Sequence, residues 1–138
     1  MNDQPLNITD FLKLILETFE ATKVEYLIGG AVAEWAWREP RATQDLDIVI
    51  NLPIKVVGRF SKELEKRNML VSADIILDTM MEGRADIPLN AIHMYSGLKA
   101  DLYLMWDGDE LRQSAFQRRI KVDYGSQLER FLYTPQKT

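Results

Sequence analysis

Apolar residues near the start of the chain recur at intervals of three and four. These residues are Leu12, Ile15, Leu16 and Phe19. Such spacing places side chains on one face of an α-helix. The preceding segment Asn7-Ile8-Thr9-Asp10 offers polar side chains that cap a helix N-terminus. The pattern therefore predicts a helix over Phe11–Thr22 with one buried face.

Short apolar runs bounded by turn residues follow, and at first they alternate with helical patterns. The predicted strands are Glu25–Ile28, Asp45–Ile50, Leu89–Tyr95, Lys99–Trp106, Ile120–Tyr124 and Phe131–Tyr133. The predicted helices are Ala31–Arg38, Ile54–Arg67, Ala73–Glu82 and Glu110–Arg119. The dipeptide Ser96-Gly97 predicts a tight hairpin between two of the late strands. This order predicts a single α+β (or α/β) domain, 1–138, with a mixed sheet and helices packed mainly on one side.

Composition and charge narrow the class of protein. The chain has 138 residues, no cysteine and a net charge of −4, so disulfides and thiolate metal sites are excluded. The negative balance argues against a broad basic surface for duplex DNA or RNA, but it does not exclude a local RNA site. No apolar run is long enough to span a membrane, and the start, Met1-Asn2-Asp3-Gln4, lacks signal-peptide character. A cytoplasmic location is therefore expected.

Two aspartates open the second predicted strand. Asp45 and Asp47 are one residue apart, so their side chains point to the same face of a strand. Neighbouring carboxylates repel each other unless a cation neutralises them, and Mg²⁺ suits such oxygen ligands. Upstream, Gly29 and Gly30 lie where a strand leads into a helix, a position at which backbone N–H groups favour phosphate. Each feature alone has a structural explanation, but together they indicate a metal-dependent site for a nucleoside triphosphate.

A third acidic residue interrupts a later apolar strand. Asp101 lies within the run Leu98–Met105, where a carboxylate is costly unless it is paired or metal-bound. It shares its strand face with Lys99 and Tyr103. The simpler alternative is an acid exposed on an edge strand. His93, the only histidine, is predicted to be a core residue rather than a catalytic one.

Two sequence blocks resemble the nucleotidyltransferase superfamily, which shares the fold of DNA polymerase beta. The first block is Gly29-Gly30, a helical segment and Arg41-x-Thr43-x-Asp45-x-Asp47, and the second is Leu89–Met94 followed by Gly97–Leu104. Within the superfamily the chain is most similar to small bacterial nucleotidyltransferases related to the AbiE-type toxins. The resemblance covers Tyr26–Pro135.

The resemblance implies an activity and a metal site. Asp45, Asp47 and Asp101 would hold two Mg²⁺ ions. A nucleoside monophosphate would move from a nucleoside triphosphate such as ATP to an acceptor hydroxyl on an RNA end or a protein. A second copy of the chain or an antitoxin is the further partner that this interpretation implies, whereas a membrane and duplex DNA are not expected.

The resemblance also implies a phosphate-binding segment. Gly29 and Gly30 would bind phosphate through their backbone N–H groups, while Arg41 and Thr43 would order the following loop or contact phosphate. Many members carry a serine after the first glycine, with its hydroxyl on the terminal phosphate. This chain has Gly30 and then Ala31, so backbone donors would replace that hydroxyl.

Two alternatives stay open. Aminoglycoside and lincosamide nucleotidyltransferases have similar motifs, and an acidic protein suits a cationic drug, although the chain has little length to spare for drug-binding segments. The other alternative is a non-catalytic nucleotide-binding partner module. In the resembled family a segment like Tyr133-Thr134-Pro135 leads into further helices, so the chain is expected to be either a shortened member or part of a longer one.

Overall fold

The computed structural model describes residues 7–28, 45–83, 86–105, 108, 110–123 and 131–134. Its helices are α1 (Ile8–Thr22), a 3₁₀ turn at Ile54–Val56 that continues into α2 (Val57–Lys66), α3 (Ala73–Glu82) and α4 (Glu110–Gln117). Its strands are β1 (Glu25–Ile28), β2 (Asp45–Asn51), β3 (Leu89–Ile92), β4 (Lys99–Leu104), β5 (Ile120–Asp123) and β6 (Phe131–Thr134). The predicted helix Ala31–Arg38 lies outside these residues. No helix in the described part of the chain is long and apolar enough to cross a membrane.

Helix α1 begins and ends where its sequence supplies caps. Oδ1 of Asn7 accepts a 2.8 Å hydrogen bond from the backbone N–H of Asp10, which satisfies one N-terminal donor. The helix ends at Lys23, whose φ of 57° is the left-handed value that often closes a helix. The predicted apolar residues Leu12, Ile15, Leu16 and Phe19 are buried, and Ile8 and Phe11 are buried as well, because the helix begins three residues earlier than predicted.

Four strands form one mixed sheet in the order β1-β2-β4-β3. β1 is antiparallel to β2, β2 is parallel to β4, and β4 is antiparallel to β3. The parallel pair β2–β4 therefore lies at the centre, where each strand has a neighbour on both sides. This topology confirms the predicted α+β chain with a mixed sheet. β5 and β6 pair with each other in a separate two-stranded antiparallel sheet.

One face of the four-stranded sheet is apolar and buried. Leu46, Ile48 and Ile50 of β2 point to this face and are at most 1% exposed. They share one core with buried residues of the helices, among them Phe11 of α1 and Phe60 of α2. Burying each such side chain contributes about 1.5–3 kcal/mol. A one-residue slip of β2 would expose this whole set, so the core fixes the register of the strand.

The β3–β4 hairpin closes through a longer loop than the predicted Ser96-Gly97 turn. The backbone N–H of His93 donates to the carbonyl of Leu98, and that of Gly97 donates to the carbonyl of His93, both at 2.9 Å. The loop therefore spans four residues, from Met94 to Gly97. Gly97 has a φ of 71°, which glycine adopts without the steric cost that a Cβ atom imposes.

His93 ties this loop to the core. The residue is 1% exposed. Its Nδ1 lies 2.8 Å from the Ser96 hydroxyl and accepts a 3.2 Å hydrogen bond from the Ser96 backbone N–H. Nδ1 is therefore the unprotonated nitrogen of a neutral ring. Desolvation by burial lowers the pKa of His93 below its ordinary value of 6.5. The prediction that His93 is a core residue is confirmed.

Acidification is expected to destabilise the fold through His93. Below pH 6.5 the unfolded chain protonates its imidazole, whereas burial keeps the folded ring neutral to lower pH. The unfolded state then binds more protons, so the free energy of unfolding falls as the pH falls. The contribution should be fully present above pH 6.5 and lost progressively down to the lowered pKa of the folded state. Urea unfolding at a series of pH values measures the slope of the free energy of unfolding against pH.

A pair of variants isolates the imidazole. His93→Gln removes the only histidine of the chain and should flatten the slope between about pH 6.5 and 5, where ordinary carboxyl groups are still ionised. Ser96→Ala removes the hydroxyl contact but keeps the ring, so its slope should persist. An equally steep slope in His93→Gln would contradict this account.

Candidate active site

The acidic residues lie on the sheet face opposite the core. Along β2, Leu46 points to the core, so Asp45 and Asp47 occupy positions on the other face. The parallel register pairs Asp47 with Asp101 and Asp45 with Lys99. Register partners on neighbouring strands share a face. The three predicted acidic positions are thus brought together on one face of the two central strands.

Asp47 and Asp101 are direct neighbours across these strands, whose backbones lie about 4.8 Å apart. Asp47 is exposed, whereas the Asp101 side chain is 16% exposed. Oδ1 of Asp101 is enclosed, and no described residue donates a hydrogen bond to it. An enclosed carboxylate oxygen without a donor is unfavourable. The position therefore favours a cation.

Lys99 contacts this carboxylate. Its Nζ lies 3.5 Å from Oδ1 of Asp101, and its side chain is 34% exposed. The distance describes an ion pair without hydrogen-bond geometry, because a charge-assisted N–H···O bond is about 2.7–2.9 Å long. The alternation of side chains along the strand predicted Lys99 on this face but indicated no role for it. The spacing of two residues between Lys99 and Asp101 is the signal in the sequence that points to their contact.

Asn90 of β3 flanks Asp101 on the side away from Asp47. It is the register partner of Asp101 and is exposed. The sequence pattern did not predict this neighbour. A two-residue Ser96-Gly97 turn would have placed Ile92 opposite Asp101, whereas the four-residue loop shifts the pairing by two positions. An amide oxygen and nitrogen are therefore available beside the carboxylate.

The donor set suits a hard divalent cation such as Mg²⁺. Carboxylate oxygens are preferred ligands of that ion, and Asp47 and Asp101 present an exposed and an enclosed carboxylate side by side. Among the described side chains, no three acidic, imidazole or thiol groups cluster so that they could hold an ion. The side chain of Asp45 is not among those described. The described part of the candidate site is therefore a pair of carboxylates with Lys99 beside it.

The predicted phosphate-binding residues lie outside the described part of the chain. They are Gly29, Gly30, Arg41 and Thr43. The described strand that leads to the glycine pair ends at Ile28, whose register partner is Ile48. Since Asp47 precedes Ile48 in β2, the described end of β1 lies beside the carboxylate pair.

A cavity of about 350 Å³ lies at the other end of β2, and its lining includes Glu25, Asn51, Phe116 and Arg119. Asn51 is four residues from Asp47 along the strand, or roughly 13 Å. Arg119 donates to Oε2 of Glu25 at 3.3 Å and stacks 4.2 Å above the ring of Phe116. The cavity is thus separate from the carboxylate pair, which has the donor chemistry of a metal site.

Comparisons with known proteins find no relative of this chain. No family model matches the chain, and neither a curated protein nor a solved structure matches it. The motifs of the sequence and the geometry of the sheet are therefore the observations that bear on function.

Neutralising Asp47 should reduce the stabilisation that Mg²⁺ gives to the fold. Asp47→Asn removes one carboxylate of the pair, and carboxylate oxygens are ligands that Mg²⁺ prefers. With Mg²⁺, the wild type should gain stability because the folded state binds the ion. The variant should gain less, since it has lost a ligand.

Asp78→Asn is the matched control, because Asp78 is exposed on α3 and undergoes the same chemical change. Thermal unfolding in EDTA and in MgCl₂ measures all three chains. The control should respond to Mg²⁺ as the wild type does. Equal Mg²⁺ responses in the wild type and in Asp47→Asn would contradict the candidate metal site.

Proposed function

We propose that the chain is a Mg²⁺-dependent nucleotidyltransferase that moves a nucleoside monophosphate from a nucleoside triphosphate to an acceptor hydroxyl on RNA or protein. The observation that carries this proposal is the pairing of Asp47 with Asp101 on the two central strands. Like charges directly opposite each other destabilise a sheet. A purely structural sheet gains nothing from such a pair, whereas a cation-binding site requires it.

The strand order supports the finer proposal of a nucleotidyltransferase-like fold. The resemblance implies one strand before the glycine pair, one that opens with Asp-x-Asp and a later one that carries the third acid. These strands are β1, β2 and β4, which are adjacent in that order. Buried residues of α1, α2 and α3 pack against the face opposite the acids, as expected for helices mainly on one side.

In the proposed reaction, Asp45 and Asp47 would hold the metal ion that contacts the triphosphate, and Asp101 would hold the second ion and orient the acceptor. Bound Mg²⁺ stabilises charge on the attacking and leaving oxygens. The hydroxyl oxygen forms a bond to the α-phosphorus while the bond from that phosphorus to the bridging oxygen breaks. Pyrophosphate leaves with the electron pair, and the hydroxyl proton passes to the Asp101 carboxylate.

The proposed phosphate contacts come from the segment that joins β1 to β2. Gly29 and Gly30 bind phosphate through backbone N–H groups, and Arg41 and Thr43 order the loop or contact phosphate. These roles depend on the resemblance. The described end of β1 beside Asp47 supports them, because the glycine pair follows that strand directly in the sequence.

The proposed setting is the cytoplasm, in a toxin–antitoxin role with an antitoxin or a second copy of the chain as partner. The net charge of −4 argues against a broad basic surface for duplex DNA or RNA, and it is compatible with a local RNA site or a protein acceptor. An aminoglycoside or lincosamide acceptor is the alternative within the same chemistry. A non-catalytic module that binds nucleotide without transferring it is the alternative that involves no chemistry.

Asp101→Asn should retain nucleotide binding and lose transfer. Asp45 and Asp47 still bind the ion that accompanies the triphosphate, whereas Asp101 acts on a hydroxyl whose charge develops only in the transition state. Transfer should fall at least about a hundredfold, the low end for one well-placed general base. The measurement is transfer of an α-phosphate label from each nucleoside triphosphate to total RNA, candidate proteins or antibiotics, beside a calorimetric binding curve.

The exposed-site variant Asp78→Asn should bind and transfer like the wild type. Near-normal transfer by Asp101→Asn would show that Asp101 is not the third carboxylate. If the wild type binds nucleotide but labels no acceptor, the non-catalytic alternative replaces the proposal. Labelling of an aminoglycoside alone would identify the antibiotic-modifying alternative.

A further inference from the structure

Four positions on the acidic face form a two-by-two patch of neighbouring strands. Asp45 and Asp47 lie on β2, opposite Lys99 and Asp101 of β4. The patch therefore combines three acidic residues with one basic residue. The Lys99 ammonium lies 3.5 Å from the enclosed oxygen of Asp101. That oxygen belongs to the carboxylate to which the proposed function assigns the second metal ion.

We propose that Lys99 keeps the second metal ion away from Asp101 until a nucleoside triphosphate binds. The inference rests on the proposed function and adds an order of events to it. The first ion binds at Asp45 and Asp47 before the triphosphate and then contacts the triphosphate in the complex. The triphosphate then attracts the Lys99 ammonium, and the second ion binds to the Asp101 carboxylate that the ammonium leaves.

The ammonium and a divalent ion compete for the same oxygen. Oδ1 of Asp101 is enclosed, and Nζ of Lys99 is already close to it. A divalent ion bound to that oxygen would meet the ammonium at short range, where like charges in a partly buried site repel strongly. The Lys99 side chain is 34% exposed and that of Asp101 is 16% exposed. Lys99 is therefore the partner that can move toward solvent.

The triphosphate supplies the attraction that moves Lys99. Lysine binds phosphate as a point charge on a flexible stem. Lys99 is the register partner of Asp45, so a triphosphate whose metal ion binds at Asp45 and Asp47 lies within reach of its ammonium. Linkage makes the effect reciprocal, because the second ion then raises the affinity for triphosphate by the same factor.

Counting bound Mn²⁺ tests this order of binding. The wild type, Lys99→Met and Lys99→Gln are titrated with Mn²⁺, with and without a non-hydrolysable triphosphate analogue, and free Mn²⁺ is followed by electron paramagnetic resonance. We expect the wild type to bind one ion alone and two with the analogue. Both Lys99 variants should bind two ions without it, the second at least about tenfold more tightly than in the wild type, a typical coupling between sites.

Lys62→Met is the matched control, because it removes an exposed lysine from α2 and should leave the ion count as in the wild type. Equal ion counts in the wild type and the Lys99 variants, with a lower count in Asp47→Asn, would overturn the role of Lys99 and leave the metal site intact. Absence of any Asp47-dependent Mn²⁺ binding would overturn both. Circular dichroism verifies folding, and Lys99→Gln provides the test if Lys99→Met does not fold.

Discussion

The parallel register between β2 and β4 is the constraint on which the candidate site depends. The register that pairs Ile48 with Leu102 in the core also pairs Asp47 with Asp101 on the opposite face. A slip of one residue would bring carboxylates into the apolar core and expose Ile48, at a cost of several kcal/mol. Hydrophobic burial on one face thus holds two like charges together on the other, which a sheet would otherwise disfavour. The stability of the core and the chemistry of the site are consequences of a single alignment.

Much of this arrangement could be predicted from the sequence because it is local. Alternation along a strand fixes which residues share a face, so Asp45 and Asp47 could be placed together without knowledge of any partner strand. Helix α1 could also be predicted, since its apolar spacing lies within one segment, but its start was placed at Phe11 because several polar residues of that segment could cap a helix, whereas Asn7 caps it and Ile8 begins it. The prediction that Asp101 lies on the same face as Asp47 required only a mixed sheet with an apolar core on one side.

The register of the β3–β4 hairpin, the neighbours of Asp101 and the second sheet depend on distances in space that local sequence patterns do not encode. Ser96-Gly97 has the composition of a two-residue turn, but hydrogen bonds of His93 close a four-residue loop and shift the β3–β4 pairing by two positions. The face was preserved, while the neighbour of Asp101 became Asn90. The contact of Lys99 with Asp101 depends on the conformation of a long side chain. The placement of β5 and β6 in a sheet separate from the four-stranded one is likewise not encoded in a local sequence pattern.

The proposed function requires that the carboxylates aligned by β2 and β4 bind the metal ions of a nucleotide-dependent reaction. Anomalous scattering from a crystal grown with Mn²⁺ and a non-hydrolysable nucleoside triphosphate is the sharpest test, because it locates the ions without assumptions about the acceptor. We expect anomalous peaks in contact with the carboxylates of Asp47 and Asp101, with the triphosphate bound to the same ions. Bound nucleotide with its metal elsewhere on the molecule, and no peak at these two residues, would contradict the proposed function.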